Sequence, residues 1–355
     1  MELVVSIQHP ADVHFFKHAI GELTHGGHSV SVFVRENEVA ADLLSVYGID
    51  HEVLVDEPTS LASLALTQLS YTTRLLRRVR PLDPDVIAAV GGVTASHVAT
   101  AVGARSVVFT DTEHATLINT LATPFADVVC TPDCFSHDVG EKQLRYPGYQ
   151  ELAYLHPDRF SPDPDRLDDL AFAPEDRLVV CRIGAWNSSH DVGQGGFSGV
   201  REVVRALERT GACVALSSEV PLSSDLERRR TAVEPHRIHD LLARADCYIG
   251  EGASMAAESA VLGTPAVYVN SLTMGYTDEL EWKHGLLFNY QGRRRHERAL
   301  DRAVSILELE DDDRWRSRRD RLLDSAQDVT EVVVDVVLGR DPGRERRRTD
   351  DLVCA

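Results

Sequence analysis

Short, nearly all-apolar runs separated by helix-length segments recur along this chain, and they limit its fold more tightly than any other feature. In the first half they are Leu3 to Ile7, Ser29 to Val34, Asp85 to Val90, Ser106 to Thr110 and Val128 to Thr131. In the second half they are Leu178 to Arg182, Ala212 to Ser217, Asp246 to Gly250 and Ala266 to Asn270. Strands that lack a polar face are buried on both sides, which is the situation of parallel sheets covered by helices. The expected fold class is therefore α/β, with doubly wound Rossmann-like sheets. At 355 residues the chain exceeds one domain of ordinary size. A stretch dense in Pro and Asp, Tyr154 to Asp169, breaks the pattern near its middle. The boundaries read as a first domain over 1–155, a linker over 156–176, a second domain over 177–338 and a charged, disordered tail over 339–355. A ligand cleft is expected between the carboxyl ends of the two sheets.

Within that frame the segment Glu251-Gly-Ala-Ser-Met-Ala-Ala-Glu258-Ser-Ala-Val-Leu-Gly-Thr-Pro265 brings together a strand end, a turn of small residues and a helix start. Ligands of open α/β sheets bind at the carboxyl ends of strands. Unpaired backbone N–H groups at Ala253 to Ala256, with the helix dipole, make the turn an anion site suited to a phosphate or diphosphate. Glu258 follows Ser254 by about one helical turn, where a carboxylate can accept the hydroxyls of a ribose. The alternative for Glu258 is an ordinary solvated position on a surface helix.

Further strand ends carry candidate chemistry. The loop Gln8-His-Pro-Ala-Asp12-Val-His14-Phe-Phe-Lys17 opens a helix, and His14 or Asp12 suits a general base for a sugar hydroxyl. Equally, Asp12 reads as a helix cap and His14 as a packed residue. Gly91-Gly-Val-Thr-Ala-Ser96 and Phe109-Thr-Asp111-Thr-Glu113-His114 follow two other strands, with Asp111 either catalytic or a cap. Arg182 opens the loop Ile183-Gly-Ala-Trp-Asn-Ser188-Ser189-His190-Asp191, a second candidate phosphate site in which Arg182 chelates oxygens and Ser188 and Ser189 donate. A long flexible connection is the alternative there. Ser217 to Glu219 and Glu234 to Leu242 are expected to line the same pocket. No metal is expected, since the one His-x-x-x-His spacing, His14 and His18, comes without a carboxylate-rich ligand pattern.

Charge narrows the partners. The 37 basic residues against 56 acidic ones leave −19, which argues against nucleic acid or an anionic membrane surface. Only Lys17, Lys142 and Lys283 are lysines, so arginine supplies nearly all positive charge, and the acidic excess suggests a salt-adapted, halophilic protein. The six cysteines lack paired spacing and mostly sit in strand-like runs, as small buried hydrophobes do. With no apolar stretch of membrane-spanning length, and a strand in place of a basic leader at Met1, a cytoplasmic location is expected.

The Gly252 to Pro265 segment resembles the nucleotide-sugar half of GT-B enzymes, which include MurG-type glycosyltransferases and UDP-N-acetylglucosamine 2-epimerases. More closely, the chain is similar to the predicted glycosyltransferases grouped as domain of unknown function 354. The stretches that carry this likeness are His9 to Lys17, Tyr47-Gly-Ile49, Pro147 to Leu155, Trp186 to Asp191, Ile238 to Leu242 and Gly252 to Pro265. The resemblance implies a GT-B fold with a nucleotide sugar, UDP-linked, as substrate and no separate cofactor. It implies that Glu258 holds ribose, that Ser254 and Met255 supply diphosphate-binding amides, and that His14 stands near the catalytic histidine of MurG-like enzymes; Gly252 and Ala253 of the same turn are counted with the binding residues. Those enzymes carry a glycine-rich loop where this chain has Gln8-His-Pro-Ala-Asp12, which argues against a lipid-diphosphate acceptor.

The leading expectation is a metal-independent glycosyltransferase acting from a nucleotide-diphosphate sugar on an unknown acceptor. The alternatives are a UDP-N-acetylhexosamine 2-epimerase using Asp111, Glu113 or His190, and a non-catalytic nucleotide-sugar-binding protein.

Overall fold

The computed structural model describes residues 1–35, 38–55, 61–170, 172–173, 175–183, 200–218, 222–272, 274–309 and 312–342. They form two compact units, one of Met1–Arg159 joined by the chain from Ala326 on, the other of Phe160–Ser325.

In the first unit the strands are β1 (Glu2–Ile7), β2 (Ser29–Arg35), β3 (Glu52–Val55), β4 (Val86–Val90), β5 (Arg105–Phe109), β6 (Val128–Pro132) and β7 (Gln143–Tyr146). They lie in the order β3-β2-β1-β4-β5-β6-β7. The second unit has β8 (Leu178–Ile183), β9 (Cys213–Ser218), β10 (Cys247–Gly250), β11 (Ala266–Val269) and β12 (Leu287–Tyr290), ordered β12-β11-β10-β8-β9. Every pairing among the described strands is parallel. Their hydrogen bonds need crossover connections, and the helix-length segments supply these. Central strands are buried throughout: β10 and β11 show no exposed position, and β1 is closed to solvent from Leu3 to Ile7.

Three strands escape the sequence pattern, namely β3, β7 and β12, and each lies at a sheet edge. An edge strand needs less apolar surface, so Gln143-Leu-Arg-Tyr146 reads as a loop until its neighbour is known.

The domain boundaries also differ from the sequence expectation. Helix Val329–Val337, expected in the second domain, packs on the first unit. Gln327 N donates to Pro147 O at 3.0 Å, Arg159 Nε to Asp328 Oδ2 at 2.6 Å, and Thr330 Oγ1 to Ala153 O at 2.6 Å. The Asp-rich stretch expected as a linker belongs to the second unit from Phe160. Asp240 Oδ1 accepts from Asp163 N at 2.9 Å, and Arg237 pairs with Asp169, so the stretch is anchored by helix Ile238–Arg244 and the residue before it. Most of the charged tail lies outside the described residues.

On the first unit, the helix Leu61–Val79 presents Tyr71, Leu75 and Val79 at one-turn spacing to Val4, Phe33 and Ile87 of the sheet. Gly92 caps the next helix, Val93–Val102, with φ +63°, and a Cβ there would lie 2.4 Å from Val108 Cγ2. Both conformation and contact require glycine at that strand end.

Candidate functional site

In the second unit the strand order reverses between β8 and β10, because β9 lies on one side of β8 while β10, β11 and β12 lie on the other. Such a switch point leaves an opening above the strand ends where the chain departs in opposite directions. Arg182 and Gly250 are register partners there. Gly250 admits no side chain, since a Cβ would stand 2.5 Å from Tyr248 Oη and 2.9 Å from Arg182 O. The buried Tyr248 turns its hydroxyl to the loop and donates to Gly252 O at 3.3 Å, while Asn270 Nδ2 donates to Glu251 O at 3.3 Å. The turn is thus fixed from two adjacent strands.

Helix Ala253–Leu262 begins at this turn, rich in Ala and closed by Gly263 with φ +92°. Gly252 is its extended N-cap and makes no side-chain cap. Ala256 N donates to Gly252 O at 3.1 Å. Three N–H groups, those of Ala253, Ser254 and Met255, therefore precede the intrahelical ladder, where the sequence suggested four. Ser254 is exposed and its neighbours are half-buried, so the helix start faces solvent. A Cβ on Gly252 would stand 3.7 Å from Arg182 Cδ and Nε, which puts the guanidinium stem beside the same turn.

Glu258 is not the solvated alternative. It is 5% exposed, and its Oε1 lies 3.1 Å from Nε2 of His239, itself 2% exposed on helix Ile238–Arg244. Phe160 stands edge-on to the His239 ring. Ser188, Ser189 and His190 lie outside the described residues, as does Glu219.

In the first unit the order reverses between β1 and β4. Asp12 sits above that point as the third residue of helix Pro10–His25 and completes a capping box with His9. Its Oδ2 accepts from Gln8 N at 2.9 Å and His9 N at 3.0 Å. Burial nonetheless raises its pKa to about 7, against those two hydrogen bonds and the nearby Arg35, with Asp111 adding repulsion. Asp111, after β5, is likewise raised to about 6 by burial, although Thr112 Oγ1 donates to it at 2.8 Å. Burial thus holds the carboxyls of both Asp12 and Asp111 well above the ordinary carboxylate range.

His14 takes different partners. Its ring is buried beside Tyr47, with Nδ1 3.3 Å from Tyr47 Oη, and stacks at a tilt on Tyr154, 5.4 Å between centroids. Lys17 lies over the other side of that cluster, 4.6 Å from the Tyr47 ring centre. Among the described residues no group of three or more His, Cys, Asp or Glu is placed to hold a metal ion, and no helix is long and apolar enough to cross a membrane.

His239 falls in the segment expected to line the pocket, Glu234 to Leu242, whereas Tyr248 and Asn270 read from sequence only as strand residues. A tyrosine inside an otherwise aliphatic buried strand needs a partner for its hydroxyl, and that signal was available at Tyr248.

A family model described as "Protein of unknown function (DUF354)" matches residues 1–339. The chain belongs to this family. An uncharacterized protein of Methanocaldococcus jannaschii, MJ0665, is 22% identical to this DUF354 chain over 279 residues, which are 75% of this chain and 81% of that one. Among solved structures, the UDP-GlcNAc 2-epimerase of Neisseria meningitidis, bound to UDP-GlcNAc, superposes with TM-score 0.67 at 11% identity, covering 96% of this chain and 100% of that one. The glycosyltransferase VinC, in complex with dTDP, gives TM-score 0.64 at 17% identity over 94% and 98%. These likenesses establish a GT-B fold for this DUF354 member.

Proposed function

We propose that the chain is a glycosyltransferase that moves a sugar from a nucleotide-diphosphate donor, UDP-linked, to an acceptor hydroxyl. One observation carries this reading: the helix start at Ala253 to Met255 and the Arg182 stem meet at the switch point, with the Glu258 carboxylate about one helical turn further on. In this reading the three N–H groups and Arg182 hold the diphosphate, and Glu258 accepts from the ribose. Ser188 and Ser189 are proposed as further phosphate donors. The acceptor oxygen bonds to the anomeric carbon as the bond to the diphosphate breaks. Its proton passes to a base, for which Asp12, Asp111 and His14 are the candidates. Negative charge gathering on the departing nucleoside diphosphate is met by the helix dipole and guanidinium, and no metal ion is invoked.

A 2-epimerase reading draws on the near-neutral Asp111 with Glu113 two residues on, a pair suited to moving a proton at a sugar carbon. Incubation with UDP-N-acetylglucosamine alone separates the two: a rearranged sugar supports the epimerase, slow hydrolysis at most supports the transferase.

A thermal-shift panel of UDP-, dTDP-, GDP- and CMP-sugars in molar KCl tests donor binding. A ligand at 100 times its Kd stabilises by about 2.7 kcal/mol, enough to read. Glu258→Ala is expected to weaken the selected nucleotide by about tenfold or more. Unchanged affinity in that variant refutes the ribose role.

A further inference from the structure

An open pocket of about 380 Å³ lies beside the carboxyl ends of β5 and β6 within the first unit, and the transferase roles above do not use it. Helix Thr116–Ala122 forms one wall in a reversed sense. Thr116, Asn119, Thr120 and, just past its end, Thr123 line the pocket at one-turn spacing. Leu117, Ile118 and Leu121 are exposed and do not line it, Leu117 being exposed by 73%. Surface helices ordinarily turn their apolar stripe inward. A helix that turns hydroxyls and an amide to an open pocket lines a space fitted to a polar occupant.

The remaining walls specify that occupant further. Glu113 lines the pocket while only 7% exposed, and its Oε1 accepts from Ser136 N at 3.0 Å and Ser136 Oγ at 3.4 Å. Asn119 is fixed by Nδ2 donating to Thr112 O at 3.1 Å and Oδ1 accepting from Thr110 Oγ1 at 3.4 Å. Phe135 supplies a buried apolar ring. Neither lysine nor arginine occurs among the described lining residues. The two cations close by are directed to backbone: Lys142 Nζ donates to Pro124 O at 3.1 Å, and Arg145 Nη1 to Phe135 O at 2.7 Å.

A buried carboxylate repels phosphate and accepts from hydroxyl or ammonium groups. We propose that this pocket binds the acceptor, and that the acceptor is a neutral or amino-bearing polyhydroxylated molecule of sugar size, not a phosphorylated one. Glu113 accepts from its amine or hydroxyl, the threonines and Asn119 meet further hydroxyls, and an apolar ring face lies on Phe135. The acceptor role rests on the transferase reading above, whereas the ligand class rests on the pocket alone.

Calorimetric titration of the full chain with glucosamine, N-acetylglucosamine and glucose 6-phosphate, and separately with UDP, tests this. Saturable binding of the first two is expected, with glucose 6-phosphate weaker by about tenfold or more. Glu113→Gln should weaken glucosamine by about tenfold or more and leave UDP unchanged. Thr120→Val, at an exposed lining position, should weaken both unphosphorylated sugars and serves where Glu113→Gln does not fold. Equal or tighter binding of glucose 6-phosphate overturns the proposal, as does the absence of saturable binding by either other sugar. Sugar binding without UDP binding upholds the ligand class and overturns the acceptor role together with the transferase reading.

Discussion

Glu258 Oε1 and His239 Nε2 lie 3.1 Å apart with both side chains almost wholly buried, so this carboxylate is held by a partner from the preceding helix. Removing one member of a buried polar pair leaves the other without its bond. Glu258→Ala is therefore expected to lower unfolding free energy by about 1–3 kcal/mol, and Glu258→Gln, which retains an acceptor oxygen, by less. Urea unfolding of both variants checks this. Equal losses would mean that volume, not the hydrogen bond, is what the site requires.

The strand end below that helix makes a second prediction. A Cβ at position 250 would meet Tyr248 Oη at 2.5 Å, Tyr248 Cζ at 2.9 Å and Arg182 O at 2.9 Å. Gly250→Ala should destabilise by about 1–3 kcal/mol through overpacking. Adding Tyr248→Phe relieves only the hydroxyl contact, so the double variant should recover part of the loss and not all. Full recovery would assign the restriction to the tyrosine oxygen alone, against the Arg182 carbonyl contact.

The interior of both sheets was legible because buried parallel strands leave an unbroken apolar run, as in Leu3 to Ile7 and Ala266 to Val269. Edge strands such as β7 leave no such trace. Helix Val329–Val337 shows why domain membership was harder: its valine stripe would cover either sheet equally well. Bonds between residues far apart in sequence, such as Asp328 to Arg159 and Thr330 to Ala153, select the first unit. For the site, residue identities were readable at strand ends, but environments were not. Nothing local to His14 announces Tyr154, and nothing local to Glu258 announces His239.

Asp12 and Asp111 give a pH dependence with a definite sign. Burial raises both carboxyls above the ordinary value of 3.8, to about 7 and about 6. The folded state then holds more protons than the unfolded state between about pH 4 and 7, so stability from these groups is greatest below that window and falls as pH rises through it. Asp12→Asn should flatten the fall and raise stability at pH 8 by up to ~4 kcal/mol. Denaturant midpoints of parent and variant at pH 5 and pH 8 measure the difference. A parent that gains stability across this range relative to Asp12→Asn would contradict a carboxyl kept neutral by burial. In a transfer assay, a base at either position gives activity that increases through pH 6 to 7.

Salt should act mainly on the −19 net charge. Two electrostatic effects oppose each other here. Pairs such as Arg201 with Asp225, at 2.8 Å, and Arg230 with Glu227, at 2.8 Å, attract, but their side chains are substantially exposed. Exposed pairs contribute little, so screening them loses little. Repulsion among the excess carboxylates acts over longer distances, and raising ionic strength from 0.1 to 1 M shortens the Debye length from about 10 to about 3 Å. The long-range repulsion is thus the larger quantity removed. The melting temperature is expected to rise between 0.1 and 1 M KCl. Arg201→Ala should lower it slightly at 0.1 M and less at 1 M, where the pair is already screened. A parent melting temperature that is flat or falling over the same range would mean that local ion pairs outweigh net repulsion, and that the acidic composition is not an adaptation to salt.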